Sequence, residues 1–293
     1  MKRILKAFER YISRIRSENT RVKYVFEVRR FLEWLSVNGM TDLNTLPRNT
    51  LVRYSGYLIG EGFQPSTLHG QMVAVKRFIG WCQTEGIEVP PQYLVELPKV
   101  PVRVKDVLPK ELFRQYFEQA AELNEPMRTA TLLLPCSGLR AHEIVSLPLK
   151  CLRKTVLKKK ETLTLLVKGK GGDERLVPLL NEGAEALMVY LKGWRKHHPD
   201  KKWMFPGRSK GHMTDRALRL ALQRVRKPLK MSFTPHTMRR TYLTTLYRQG
   251  VDPMTLAKIA GHKNLKTLLH HYLYLDEHDL AAAVHNRGGS LTQ

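Results

Sequence analysis

A mainly α-helical chain in two domains, with a small β-hairpin or sheet in the second, is the fold class that three features of the sequence predict. Apolar residues recur at helical spacing through the first ninety or so positions. A proline-rich, basic stretch from Pro90 to Pro109 then interrupts the pattern. Beyond it, helical periodicity resumes except around one glycine- and charge-rich turn flanked by β-branched and leucine-rich runs.

The elements follow in order. Ile4, Leu5, Phe8, Tyr11, Ile12 and Ile15 lie on one face of a helix predicted from Lys2 to about Arg16. Ser17 or Asn19 can cap a second helix through Val37, ended by Gly39; Pro47 can open a third through Ile59, ended by Gly60 and Gly62. Ser66 can cap a fourth through Thr84, ended by Gly86. These make residues 1–98 a compact helical unit. Residues 99–108 read as an extended basic linker, and residues 109–293 as a second domain with a C-terminal tail. Within it, Glu161–Val167 and Glu174–Leu179 are predicted strands of a hairpin. Helices are predicted at about Glu182–His197, Thr214–Lys227, Pro235–Arg248, Pro253–Ile259 and Leu265–Tyr274.

Charge names the partner. Fifty Lys and Arg against 26 Asp and Glu leave a formal +24, a balance suited to a polyanion. The excess is spread: residues 1–107 hold 17 basic and 10 acidic side chains, and the remainder 33 and 16. Both domains are therefore expected to touch nucleic-acid phosphates, closing on a duplex as a clamp. Three scattered cysteines, Cys82, Cys136 and Cys151, form neither a disulfide framework nor a zinc motif. No apolar run approaches the length of a membrane span, and the charged start differs from a signal peptide. A protein of a reducing cytosol with no membrane partner is the expectation.

Several weak fragments carry the chemistry. In CysSerGlyLeuArgAlaHisGluIle, residues 136–144, an apolar helix ends, Gly138 permits a turn, and Arg140 and Glu143 share a face of the next helix. His236 and Arg239 sit three apart just inside a helix that Pro235 can begin. His262 lies between Gly261, which can close one helix, and Asn264, which can cap the next; Tyr272 lies on that last helix. Lys170 stands at the hairpin tip. Each fragment alone is common on helix surfaces; their order and sum are not.

Taken together these residues resemble the tyrosine recombinase family, which includes phage integrases and bacterial Xer-type enzymes. The likeness spans the whole chain: a helical, SAM-like core-binding domain, then a catalytic domain with GlyLeuArgAlaHisGlu, the ValLysGlyLysGlyGlyAspGluArg hairpin, HisThrMetArg, GlyHis and a late tyrosine. It implies that Arg140, Lys170, His236, Arg239, His262 and Tyr272 are catalytic, with Tyr272 the nucleophile and Glu143 in support. Two positions depart from the commonest pattern. The residue nine after His262 is His271, and Tyr272 stands ten after it, as in another phage-integrase variant; Arg240 follows the HisThrMetArg motif where a second histidine is frequent. Tyr274 is the rival nucleophile, but it points about 200° around the helix from Tyr272.

The residue types suit a transesterification at a DNA phosphate. Arg140 and Arg239 can fork onto non-bridging oxygens and stabilise a pentavalent transition state, so no metal cofactor is required. Tyr272 needs its phenolate favoured by that charge or a base such as His236. Lys170, its pKa lowered among cations, is the candidate general acid, and His262 a donor to phosphate oxygen. Glu143 is expected to orient an arginine or histidine, because a carboxylate would repel the phosphate. The aryl phosphodiester conserves bond energy; no cofactor and no ATP are expected, and no Gly-Lys-Ser/Thr phosphate loop is present. The adjacent His270 and His271 face different ways and are expected at the surface rather than on a metal.

The function implied is a site-specific DNA recombinase, acting through a 3′-phosphotyrosine on a double-stranded DNA recombination site. A homotetramer on two duplexes is the implied assembly, with the stripe Leu280, Ala281, Ala283 and Val284 in the tail docking on a neighbouring protomer or on its own domain. No arm-site module ahead of Lys2 is expected. The alternatives are a type IB topoisomerase-like relaxing enzyme and a DNA-binding relative that does not cut.

Overall fold

The computed structural model describes residues 1–91, 106–157, 160–169, 172–208 and 211–261, together with Leu265, Leu268 and Leu269. The chain divides into two compact units, Met1–Val102 and Arg103–Gln293.

The first unit is four helices: α1 (Lys2–Ile15), α2 (Glu18–Val37), α3 (Thr50–Gly60) and α4 (Pro65–Thr84). Its core is drawn from the predicted apolar faces: Phe8 and Ile12 of α1, Phe31 and Leu35 of α2, Tyr54 and Leu58 of α3, and Met72, Val75 and Phe78 of α4 are all buried. Burying such side chains stabilises by roughly 1.5–3 kcal/mol apiece before entropy is counted. Phe8 meets Phe78 edge-on with ring centroids 5.2 Å apart, which locks α1 onto α4. Two helix starts differ from expectation. Gln64 rather than Ser66 precedes the fourth helix, with Pro65 in its first turn, because proline's fixed φ already suits that position. The third begins at Thr50, since Asn49 and the turn from Pro47 come first.

The second unit carries α5 (Phe113–Ala121), α6 (Met127–Ser137), α7 (Ala141–Val145), strands β1 (Leu152–Leu157), β2 (Lys160–Lys168) and β3 (Glu174–Pro178), then α8 (Asn181–Lys192), α9 (Trp194–His197), α10 (Asp215–Arg226), α11 (Pro235–Arg248) and α12 (Pro253–Ala260). Apolar α6 is the central helix, packed by α5, α7, α8, α10 and α11. The sheet is antiparallel in the order β1-β2-β3, with Leu165 paired to both Leu152 and Val177. Leu163, Leu165, Val167 and Val177 point into the core, the alternation expected of a sheet covered on one side.

The β2–β3 hairpin matches the predicted strands to within a residue or two. β1 went unseen because it is a charged edge strand: Arg153, Lys154, Thr155 and Val156 are exposed, and alternation has nothing to show there. The helix expected over Glu182–His197 breaks into α8 and α9 at Gly193, whose φ of −95° and ψ of −111° are non-helical. Residues 106–108 of the expected linker are docked on the second unit: the Leu108 N–H donates to Thr241 Oγ1 at 2.8 Å, and Arg240 donates to the Asp106 carbonyl from Nε and Nη2 at 3.1 and 2.9 Å. No helix among the described residues is long and apolar enough to cross a membrane.

Candidate active site

The site is built where α6 stops. Gly138 adopts a left-handed conformation (φ 59°), and a Cβ there would lie 2.3 Å from Cδ1 of Tyr242, so only glycine lets the turn pass under that ring. Leu139 drops into the core and Arg140 enters α7 in extended conformation. Glu143, three residues on, turns back: Oε2 accepts the Arg140 backbone N–H at 2.8 Å and Oε1 accepts Arg140 Nη1 at 3.0 Å.

Glu143 is 4% exposed and is the centre of a cationic cluster. Its Oε2 also accepts Arg175 Nη2 from β3 at 2.8 Å, and Arg239 Nη1 of α11 lies 3.9 Å away. Burial alone would push this carboxyl up; the Arg175 hydrogen bond, the Arg140 N–H and the charges of both arginines outweigh it and hold it down at about 2. A carboxylate buried among guanidinium groups keeps its charge, and each arginine gains a fixed position from it.

Arg239 is fully buried. Its Nη1 donates to the Gly138 carbonyl at 2.6 Å and its Nη2 to the Ala260 carbonyl, tying α11 to the α6–α7 turn and to the end of α12. Three residues earlier, His236 lies in the first turn of the same helix, started by Pro235 and capped by Thr234, which accepts the Thr237 N–H at 3.2 Å. The sequence put His236 and Arg239 on one side of a helix; the structure gives them different environments, because His236 keeps part of its surface in solvent while Arg239 is fully buried. Partial burial of the imidazole, then the charges of Arg239, Arg219, Arg140 and Arg240, lower the His236 pKa from 6.5, so the neutral ring is favoured. Arg140 keeps 28% of its side chain exposed, whereas Arg239 is fully buried.

Four of the seven expected site residues, Arg140, Glu143, His236 and Arg239, are thus gathered in one place. Lys170, His262 and Tyr272 lie outside the described residues, as do Tyr274, residues 99–105 of the linker and the tail stripe. Their anchors are described. Gly169 ends β2's run toward position 170, and its N–H donates to the Asp173 carbonyl across the hairpin at 2.7 Å. Gly261, left-handed at φ 67°, closes α12 immediately before position 262. Leu268, four positions before Tyr272, is buried in the same core.

Sequence reasoning missed Arg175. A signal was available: Val177 faces the core and Leu176 faces solvent, so Arg175 sits at an inward position where a charge demands a buried partner. Arg240, set beside the HisThrMetArg motif, has a supporting position against the Asp106 carbonyl.

Comparison with known proteins gives one answer. Residues 107–278 match the model of the phage integrase family, and residues 5–86 match that of the phage integrase N-terminal SAM-like domain. The chain is 26% identical over 264 residues to the tyrosine recombinase XerD of Rhizobium meliloti, covering 84% of this chain and 82% of that protein. It is 31% identical over 259 residues to the tyrosine recombinase XerC of Erythrobacter litoralis, covering 84% and 80%. Among solved structures, a lambda integrase dimer bound to a COC′ core site matches with a TM-score of 0.71 at 16% identity, over 94% of this chain and 98% of that one. XerH recombinase bound to palindromic difH in a post-cleavage complex matches at 0.70 and 19% identity, over 89% and 77%. These last two likenesses establish the fold.

Proposed function

Since the chain belongs to the phage integrase family of tyrosine recombinases, we propose that it breaks and rejoins double-stranded DNA at a specific recombination site through a 3′-phosphotyrosine. The observation that carries the reading is the convergence of Arg140 and Arg239, from motifs far apart in sequence, on the single buried carboxylate of Glu143. Structural neighbours solved on DNA, among them lambda integrase on a core site and XerH on difH, support DNA as the substrate.

In this reading the Tyr272 phenol oxygen attacks the scissile phosphorus as the bond to the 5′ oxygen breaks. His236, favoured as the neutral imidazole, accepts the phenolic proton. Lys170 gives a proton to the departing 5′ oxygen, and His262 donates to a non-bridging oxygen. Arg140 meets the phosphate from its exposed side. Arg239 begins committed to two carbonyls, so engaging the phosphate means exchanging the Ala260 contact for a charged one. Glu143 orients the guanidinium groups and touches no DNA. A free 5′ hydroxyl then attacks the phosphotyrosine, restoring the diester and the tyrosine with no ATP consumed.

The same reading includes a homotetramer on two duplexes, because exchange of two duplexes needs four cleavages. It places the tail stripe Leu280, Ala281, Ala283 and Val284 against a neighbouring protomer, and the protein with the nucleoid in the bacterial cytosol. The +24 charge supports prolonged contact with DNA.

The test is a nicked suicide duplex, drawn from the DNA flanking the gene, incubated in EDTA. A covalent adduct attached at Tyr272, lost in Tyr272→Phe with DNA binding retained, is expected. Attachment elsewhere, or a strict need for magnesium, would refute the mechanism. Relaxation without strand exchange would assign a topoisomerase, and removal of residues 276–293 with synapsis unchanged would refute tail docking.

A further inference from the structure

We infer that Arg175 is a positioning residue for strand cleavage, a single guanidinium that fixes the segments leading to three reactive side chains relative to one another. The inference rests on the recombinase reading above and extends it to a residue to which that reading assigns no role.

Three contacts make the case. Arg175 Nη2 donates to Glu143 Oε2 at 2.8 Å, which reaches the helix that holds Arg140. Arg175 Nε donates to the Ile259 carbonyl at 2.8 Å, near the end of α12. Beside it, Nη1 lies 3.8 Å from where a Cβ on Gly169 would be, so the guanidinium also lies along the segment that runs into Lys170. The chain leaving α12 is forced over the same group: Gly261 is left-handed, and a Cβ there would come 3.2 Å from Cδ, Cζ and Nε of Arg175. Position 262 follows directly.

The side chain of Arg175 is 10% exposed, with two of its nitrogens committed, so it acts through the groups it holds and not by gripping a phosphate. Consecutive carbonyls divide the labour on α12: Ile259 accepts from Arg175 and Ala260 from Arg239. Both arginines lie against one carboxylate. When Arg239 turns from Ala260 toward a phosphate, Arg175 is the contact that keeps the end of α12 in register. A planar fork with separately aimed N–H groups can serve two acceptors at once, which a lysine ammonium on a flexible stem does poorly.

The experiment uses the full chain and the suicide duplex, with DNA affinity and single-turnover adduct formation measured for Arg175→Gln, Arg175→Lys, Glu143→Gln and the double Gln variant. In Arg175→Gln, affinity is expected to stay within about twofold while the adduct rate at saturating DNA falls about 10- to 100-fold, the usual cost of losing such an orienting partner. Arg175→Lys should lie between wild type and Gln. In the Glu143→Gln background the second substitution should add less than about threefold, the mark of a shared path.

An unchanged rate, a loss matched by lost DNA binding, or fully multiplicative effects would overturn the inference. If Arg175→Gln does not fold, Arg175→Lys decides, and a wild-type rate in it overturns the bridging role. Wild-type protein that forms no adduct at Tyr272 would instead sink the recombinase reading, so the two failures are distinguishable.

Discussion

Replacing Glu143 with glutamine keeps the size of the side chain and removes the charge on which three arginines converge. Its carboxyl is held from 4.5 down to about 2 in the folded protein, which corresponds to about 3 kcal/mol of preference for the charged form at neutral pH. Because 3% of the side chain is exposed, solvent screens little of this. The folded value lies below the unfolded one, so the contribution is fully present above about pH 4.5 and is lost as pH falls toward 2. Glu143→Gln should therefore destabilise the second unit by about 3 kcal/mol at pH 7, and the gap should shrink to about half of that at pH 3. Urea denaturation followed by hydrogen exchange of peptides from α6 and α11 reads that unit apart from the first. A gap of the same size at both pH values would refute the reasoning, since it would mean that packing rather than charge is lost.

The remaining predictions follow from the same geometry. Gly138→Ala forces a Cβ to within 2.3 Å of the Tyr242 ring at a left-handed position and should cost about 2–4 kcal/mol; an unchanged thermal midpoint would contradict it. Arg240→Ala loses both bonds to the Asp106 carbonyl and should lower stability by about 1–3 kcal/mol while the adduct rate at saturating DNA stays put; a collapse of that rate would place Arg240 in the chemistry. The imidazole of His236, its pKa lowered by burial and by Arg239, Arg219, Arg140 and Arg240, should titrate below 6.5 by NMR in the free protein. A value above 6.5 would remove it as the base.

The fold was legible in proportion to how local its causes are. The apolar faces of α1, α2, α4 and α11 recur at helical spacing, and Gly39, Gly62 and Gly86 stop helices with positive φ as expected. Those signals lie within single elements. β1 was not legible because the partly buried Leu152 stands at its start while Arg153 to Val156 face solvent. The break at Gly193 was hidden because an isolated glycine inside a helical pattern is tolerated and does not by itself mark an end. At the site, motif order brought Arg140, Glu143, His236 and Arg239 together on the page, but spacing says nothing of depth. That Arg239 is fully buried and His236 exposed depends on Gly138 and Ala260 offering carbonyls, a tertiary fact. Arg175 lacked a motif role of its own, and only the alternation with Leu176 and Val177 marked it.

The burial of Arg239 is also what makes a resting state and a working state compatible. A guanidinium without partners in a protein interior would be costly, and the carbonyls of Gly138 and Ala260 remove that cost in the free protein. They are neutral acceptors, whereas a phosphate oxygen is charged, and charge-assisted hydrogen bonds are roughly twice as strong as neutral ones. In the proposed mechanism DNA draws one Nη away from Ala260, from a resting state in which both Nη groups are already hydrogen-bonded. Glu143 sets how far that exchange can go. At 3.9 Å from Arg239 it attracts without forming a direct hydrogen bond, while Arg140 and Arg175 hold it at 3.0 and 2.8 Å. A carboxylate fastened to Arg140 and Arg175, and only near Arg239, lets Arg239 exchange partners in that mechanism.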